Sequence, residues 1–212
     1  MRMFPSTDIY AITDSNLSLG RPVEVVVGAL LDAGVKMVQY REKKKKAGEM
    51  LKECEILRRM TAEAGAFFIV NDHVDIAMLV KADGVHVGQE DLPVARVREL
   101  VGEDCVIGLS THTPEQAAAA VRDGADYIGV GPLFATQTKE DVCEPVGLDY
   151  LEHVATTYSI PFAAIGGIKR HNIAEVAGRG GACCCLVSEL VGAPDIAARV
   201  AEVRAAMHGR GA

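Results

Sequence analysis

Short apolar runs alternate with longer amphipathic stretches along the whole chain, and several runs stop abruptly at polar or charged residues. Val35-Lys36-Met37-Val38 leads into Gln39-Tyr40-Arg41-Glu42-Lys43, and Phe67-Phe68-Ile69-Val70 stops at Asn71-Asp72. Asp83-Gly84-Val85-His86-Val87 stops at Gly88-Gln89-Glu90-Asp91, and Tyr127-Ile128-Gly129-Val130-Gly131-Pro132 precedes Thr136-Gln137-Thr138-Lys139. Apolar runs of about four to eight residues separated by helical segments read as buried parallel strands. The pattern predicts strands over 8–13, 35–38, 67–70, 83–87, 105–109, 127–130, 161–165 and 182–187. Helices are predicted from Pro22 to Asp32, Gly48 to Gly65, Val74 to Val80, Pro93 to Gly102, Thr113 to Gly124, Gly147 to Ser159 and His171 to Gly178, with a last one starting near Pro194-Asp195. Proline at helix starts, glycine at helix ends and Thr113-Pro114-Glu115 as a cap support these boundaries.

Eight strand–helix units favour a closed barrel over an open sheet. The fold expected is α/β: one (β/α)8 TIM barrel, a single catalytic domain over 1–212. In such a barrel the carboxyl ends of all strands open on one face, so polar bursts far apart in sequence converge there. The one long connection, 133–146, falls on that face, where long loops are usually functional.

Composition narrows the chemistry. The chain has 212 residues, 49% hydrophobic and 24% charged, with aromatics at only 5% and no Trp, so small and aliphatic side chains must fill the core. A net charge of -7 gives no electrostatic reason to expect nucleic-acid binding and requires local cations or a metal for any anionic substrate. No apolar stretch reaches the roughly 18 residues of a membrane span, and the N-terminus lacks a signal-peptide core, so the expected location is cytoplasmic. Cys183-Cys184-Cys185 alternate between strand faces and so cannot form one metal cage; with no CxxC spacing, buried free thiols are the simplest reading.

Gln39, Arg41 and Lys43 share one face of an extended strand end, and a guanidinium fork with an ammonium suits phosphate or diphosphate. Lys44-Lys45-Lys46 reads as a solvated charge run. Asp72 and Asp91 follow adjacent strands and could hold Mg²⁺, which takes one or two carboxylates with substrate phosphates and water; equally, Asp72 could merely cap the following helix. Asn71 could orient a ligand amide or ring nitrogen. His86 reads as a hydrogen-bonded core residue. Ser110-Thr111-His112 fit either a turn or a site. Thr136, Gln137, Thr138 and Lys139 form a phosphate-facing set, and Gly166-Gly167 with Val187-Ser188 match the phosphate site of a barrel's last two loops.

Taken together, these motifs resemble the thiamine-phosphate synthase family over nearly the whole chain, from Tyr10-Ala11-Ile12-Thr13-Asp14 to Val187-Ser188. The resemblance implies a transferase that joins 4-amino-2-methyl-5-hydroxymethylpyrimidine diphosphate to 4-methyl-5-(2-phosphooxyethyl)thiazole, giving thiamine phosphate and pyrophosphate by Mg-assisted, dissociative loss of pyrophosphate. It implies that Gln39, Tyr40, Arg41, Glu42, Lys43, Asn71, Ser110 and Lys139 bind the pyrimidine diphosphate. By the same resemblance, Arg41, Lys43, Lys139 and Ser110 would carry the catalytic role, Asp72 and Asp91 would ligate Mg²⁺, and Thr136, Gln137, Thr138, Gly167, Val187 and Ser188 would bind the thiazole phosphate. The partners implied are these small molecules, with no nucleic acid and no membrane, and homo-oligomerisation is left open. A thiazole tautomerase-type isomerase of the same fold is the alternative; it needs no diphosphate grip. Three positions depart from the family: Ala135 stands where Pro is common, the Cys triplet where Asp-Gly and aliphatics are common, and Glu189 adds a negative charge beside Ser188.

Overall fold

Alternation along each strand sends successive side chains to opposite faces, and the two faces fill two separate cores. The computed structural model describes residues 3–136, 138 and 143–209. Its strands are β1 (Ile9–Ile12), β2 (Met37–Tyr40), β3 (Phe67–Asn71), β4 (Gly84–Val87), β5 (Val106–Thr111), β6 (Tyr127–Val130), β7 (Phe162–Ala164) and β8 (Cys184–Leu186). They close in chain order into one parallel barrel, β8 pairing back onto β1. The helices are α1 (Val23–Asp32), α2 (Ala47–Glu63), α3 (Val74–Val80), α4 (Val94–Val101), α5 (Pro114–Arg122), α6 (Gly147–Thr157), α7 (Ile173–Gly178), α8 (Ser188–Val191) and α9 (Ile196–Met207). Outward residues such as Val38, Phe68, Val85, Ile107 and Ile128 pack against Leu30, Leu57, Val97 and other helix residues. Inward residues Tyr10, Ile12, Met37, Ile69, Val106, Tyr127, Ala163, Cys183 and Cys185 fill the barrel itself.

The same alternation explains the cysteine triplet. Cys183 and Cys185 belong to the interior core, whereas Cys184 belongs to the layer under the helices. The small thiols make room for the two large interior rings: Tyr10 is the register partner of Cys185 and packs edge-on against Tyr127, centroids 6.2 Å apart. All three thiols are buried, and burial pushes the Cys184 thiol up to about 12, so they serve as apolar filling.

A girdle of buried and half-buried acids pins the amino-terminal rim. Asp83, just before β4, accepts the Phe68 N–H of β3 at 2.9 Å and pairs with Arg58 of α2 at 3.0 Å. Asp126, just before β6, accepts the Ile107 N–H of β5 at 2.7 Å and pairs with Arg98 of α4 at 2.5 Å. Asp8, before β1, pairs with Arg204 of α9 at 2.8 Å. The Asp punctuation of the sequence thus ties helix, strand and next strand together at the face opposite the loops that carry function.

The eight units stand where the sequence places them, with local shifts. β2 begins and ends two residues later than its apolar run. Val35 turns under α1, donating its N–H to Leu30 O at 3.0 Å, and the ladder takes up Gln39 and Tyr40 instead. The stretch after β8 does not run on as a strand end: Ser188 opens the short helix α8, which the apolar pattern did not reveal. Thr113 caps α5 as expected, its hydroxyl accepting the Gln116 N–H at 3.3 Å.

Candidate active site

The carboxyl ends of the strands surround two adjoining cavities of about 450 and 550 Å³. Both are walled by Arg41, Lys43, Asn71, Asp91 and Ser110. The smaller also touches Asp14, Glu42, Asp72 and Lys44, and the larger reaches Gln39, Thr136, Gly167, Val187 and Ser188. Thr138 lines both. Residues drawn from all eight strand ends therefore converge at one mouth. Gln137 and Lys139 lie outside the described residues.

The period-two face of the second strand is real. Gln39, Arg41 and Lys43 point to the mouth, and the intervening Tyr40 points away. Tyr40 is a correction to the expected binding set: its hydroxyl donates to Glu53 of α2 at 2.6 Å, on the helix side of the strand. Glu42 touches the smaller cavity, but its carboxylate serves its own loop. It accepts the backbone N–H groups of Lys43 at 2.8 Å and Lys44 at 2.9 Å. Burial raises the Glu42 carboxyl, yet the bonds from Lys44, Ser15 and Lys43 and the charge of Lys45 hold it below its ordinary 4.5. It is a brace for the cationic turn.

Arg41 is held from β1: its Nη1 pairs with Asp14 at 3.0 Å and its N–H donates to Thr13 Oγ1 at 3.0 Å. Its Nε is the one buried side-chain nitrogen or oxygen among the described residues that lacks a hydrogen-bond partner. An unsatisfied buried donor of this kind costs roughly 1–3 kcal/mol unless something accepts from it.

Asp72 does not cap the helix that follows it, one of the two readings the sequence left open. His73, not Asp72, is the N-cap of α3, and no side chain caps that helix. Asp72 instead adopts left-handed backbone at φ +60°, a conformation that costs a non-glycine residue about 1–3 kcal/mol and that clusters at functional sites. Its carboxylate meets Lys43 Nζ at 2.5 Å. Asp91 accepts the Gly88 N–H at 2.7 Å. No group of three or more His, Cys, Asp or Glu able to hold a metal occurs among the described residues.

At the far end, Gly167 has φ +65°, and a Cβ there would lie 2.8 Å from both Ala135 O and Phe134 Cβ. Ser188 Oγ accepts from Lys169 Nζ at 2.6 Å. The negative charge expected from Glu189 is neutralised: Arg199 stands 2.8 Å and Lys169 3.6 Å from its carboxylate. Thr136 and Thr138 hydroxyls are 3.1 Å apart.

His86 is hydrogen-bonded, as expected, yet it also lines both cavities. Its Nδ1 lies 2.8 Å from Tyr127 Oη and its Nε2 2.9 Å from Ser110 Oγ. Tyr10, Tyr127, His86, Asp14 and Lys169 were not singled out as site residues from sequence. The available signal was weak: tyrosine or histidine at inward positions of otherwise apolar strands.

Residues 9–190 match the family model described as thiamine monophosphate synthase. The chain is 61% identical over 198 residues to the thiamine-phosphate synthase of Pelotomaculum thermopropionicum, covering 93% of this chain and 91% of that one. It is 59% identical over 200 residues to that of Lawsonia intracellularis, covering 94% and 92%. Among solved structures it resembles thiamine phosphate pyrophosphorylase from Pyrococcus furiosus, with TM-score 0.87, 34% identity, and coverage of 95% and 96%. A 3-hexulose-6-phosphate synthase at 19% identity and TM-score 0.66 shares the fold alone. The chain belongs to the thiamine monophosphate synthase family.

Proposed function

We propose that the smaller cavity grips the diphosphate of the pyrimidine substrate, that the larger one places the thiazole phosphate beyond it, and that the mouth joins the two. The chain is a transferase of thiamine biosynthesis, and the relatives give no support to the isomerase alternative. The single observation carrying the site assignment is that Arg41, Lys43, Asp72 and Asp91 line one cavity although they come from three strand ends. The buried Nε of Arg41 supplies a donor that a diphosphate oxygen would satisfy.

Charge supports a divalent cation. On the wall of the smaller cavity, Arg41, Lys43 and Lys44 face the four carboxylates of Asp14, Glu42, Asp72 and Asp91. A diphosphate added to a carboxylate excess needs further positive charge. The donor set fits Mg²⁺: two hard carboxylates, strained into place at Asp72, with the remaining oxygens to come from substrate and water. Asp72 and Asp91 would hold it, and bound there it would supply Lewis-acid neutralisation of the leaving diphosphate.

In the reaction, the bond from the pyrimidine methylene carbon to the diphosphate oxygen breaks, and its electron pair leaves with the oxygen. The thiazole nitrogen lone pair then forms the new carbon–nitrogen bond. No proton moves, so the mouth needs no general base. Arg41 and Lys43 hold the diphosphate and meet its growing charge, Asn71 and Gln39 face the ring, and Ser110 donates to the pyrimidine substrate. Thr136, Thr138, Gly167 and the Val187-Ser188 backbone hold the second phosphate. Positioning and electrostatics of this kind account for large rate factors.

The test mixes the protein with both substrates and Mg²⁺ and assays thiamine phosphate and pyrophosphate. Product is expected only with the metal. EDTA should stop the reaction, and added Mg²⁺ should restore it. Asp72→Ala is expected to lose at least about a hundredfold in rate, the scale of removing one electrostatic partner, with an unchanged circular dichroism spectrum. Full activity in Asp72→Ala would remove it from the metal site.

A further inference from the structure

A chain of hydrogen bonds crosses the barrel interior from one substrate-facing residue to another. Gln39 Nε2 donates to Tyr10 Oη at 2.6 Å. Tyr10 Oη lies 3.0 Å from Tyr127 Oη, Tyr127 Oη 2.8 Å from His86 Nδ1, and His86 Nε2 2.9 Å from Ser110 Oγ. Five side chains on β2, β1, β6, β4 and β5 are thus linked, and both ends, Gln39 and Ser110, line the larger cavity.

Proton counting gives the chain a direction. Each phenol has one hydrogen to donate, and neutral imidazole has one donor nitrogen and one acceptor. Tyr10 accepts from the Gln39 amide and keeps one hydrogen, which the Tyr127 oxygen is placed to accept. Tyr127 then donates to His86 Nδ1, which places the ring hydrogen on Nε2 and aims it at Ser110 Oγ. Having accepted from His86, Ser110 turns its hydrogen toward the cavity. Burial holds both phenols protonated, with Tyr10 and Tyr127 well above the ordinary 10.0, so each enters the chain with its hydrogen.

The backbone is built around this contact. Gly108 of β5 is the register partner of both His86 on one side and Tyr127 on the other. A Cβ at 108 would lie 2.2 Å from the Tyr127 ring and 2.5 Å from His86 Nδ1. Only the missing side chain lets histidine and tyrosine meet across the intervening strand. Phe4 covers the Tyr127 ring from outside the chain, centroids 4.4 Å apart.

We propose that Tyr10, Tyr127 and His86 are positioning residues: they fix the Nε2–H tautomer of His86 and thereby hold the Ser110 hydroxyl as a donor toward an acceptor atom of the pyrimidine diphosphate. The inference rests on the proposed function only through the ligand that Ser110 meets.

The experiment pairs a spectroscopic reading with a double-mutant cycle. In ¹⁵N-histidine-labelled protein, His86 is expected as the Nε2–H tautomer, and Tyr127→Phe should shift it toward a mixture; an Nδ1–H tautomer in the unsubstituted chain overturns the proposal whether or not the enzyme is active. In steady-state assays, Tyr127→Phe is expected to lower kcat/KM for the pyrimidine diphosphate by roughly tenfold, the size of one hydrogen bond, and to leave the KM for thiazole phosphate unchanged. In a Ser110→Ala background the same change should add nothing, because it acts through Ser110. Equal losses in both backgrounds would make Tyr127 a packing residue and sink the proposal, while product formation by the unsubstituted chain would still uphold the synthase reading. Tyr10→Phe, one link earlier, gives the same reading should Tyr127→Phe fold poorly.

Discussion

Gly167 shows how a single backbone conformation shapes one end of the mouth. Its φ of +65° and its contact with the Phe134–Ala135 backbone leave no room for a methyl group. Gly167→Ala should raise the KM for thiazole phosphate by roughly tenfold, matching a strain of about 1–3 kcal/mol, with the KM for pyrimidine diphosphate unmoved. Equal effects on both substrates would place Gly167 outside the phosphate site. At this scale the sequence is partly legible. Period two correctly separates Gln39, Arg41 and Lys43 from Tyr40, because alternation is a local property of extended chain. It does not tell whether Glu42 meets a ligand or its own turn, since that depends on where the Lys43 and Lys44 amides point. Nor does it tell whether Asp72 caps the following helix; the structure does, by putting His73 at that position and Asp72 in left-handed backbone.

Among elements, two rim acids tie β3 to β4 and β5 to β6. Asp126 carries both a β5 amide and the Arg98 guanidinium. Asp126→Ala removes an acceptor from a buried N–H and should lower stability by about 1–3 kcal/mol, read as a lower denaturant midpoint with activity at saturating substrate retained. A midpoint shifted by less than about 0.5 kcal/mol, the range of an indifferent surface change, would show that water replaces the carboxylate. The strand count and the helix caps at Pro22, Pro93, Thr113 and Asp195 were legible because they rest on local propensity. The two-residue shift of β2 was not. A polar Gln39 stands in the ladder with its side-chain amide donating to Tyr10, which comes from another strand. The short helix α8 likewise carries too few residues for a periodic signal.

For the molecule as a whole, four of the five tyrosines are affected by burial. Burial pushes up Tyr10, Tyr40, Tyr127 and Tyr150, the last to about 12. A raised phenol value means that the folded state keeps a proton that the unfolded chain releases near 10.0. Their contribution to stability is therefore full below about pH 10 and declines as pH rises further. Phenolate absorbance from these four should appear together with loss of circular dichroism in an alkaline titration. Independent, early ionisation of all five in the folded protein would contradict the buried chain. No described helix is long and apolar enough to cross a membrane.

The eightfold alternation of apolar runs and amphipathic stretches, the polar strand ends and the family resemblance were all determined by the sequence, because each is written in neighbouring residues. Which interior side chains touch was decided only by closure of the barrel. Tyr10 and Tyr127 stand 117 positions apart and meet because β8 returns to β1 and the interior faces cross a common axis. Local pattern specifies the face of a strand. Only the closed sheet specifies the distance across it.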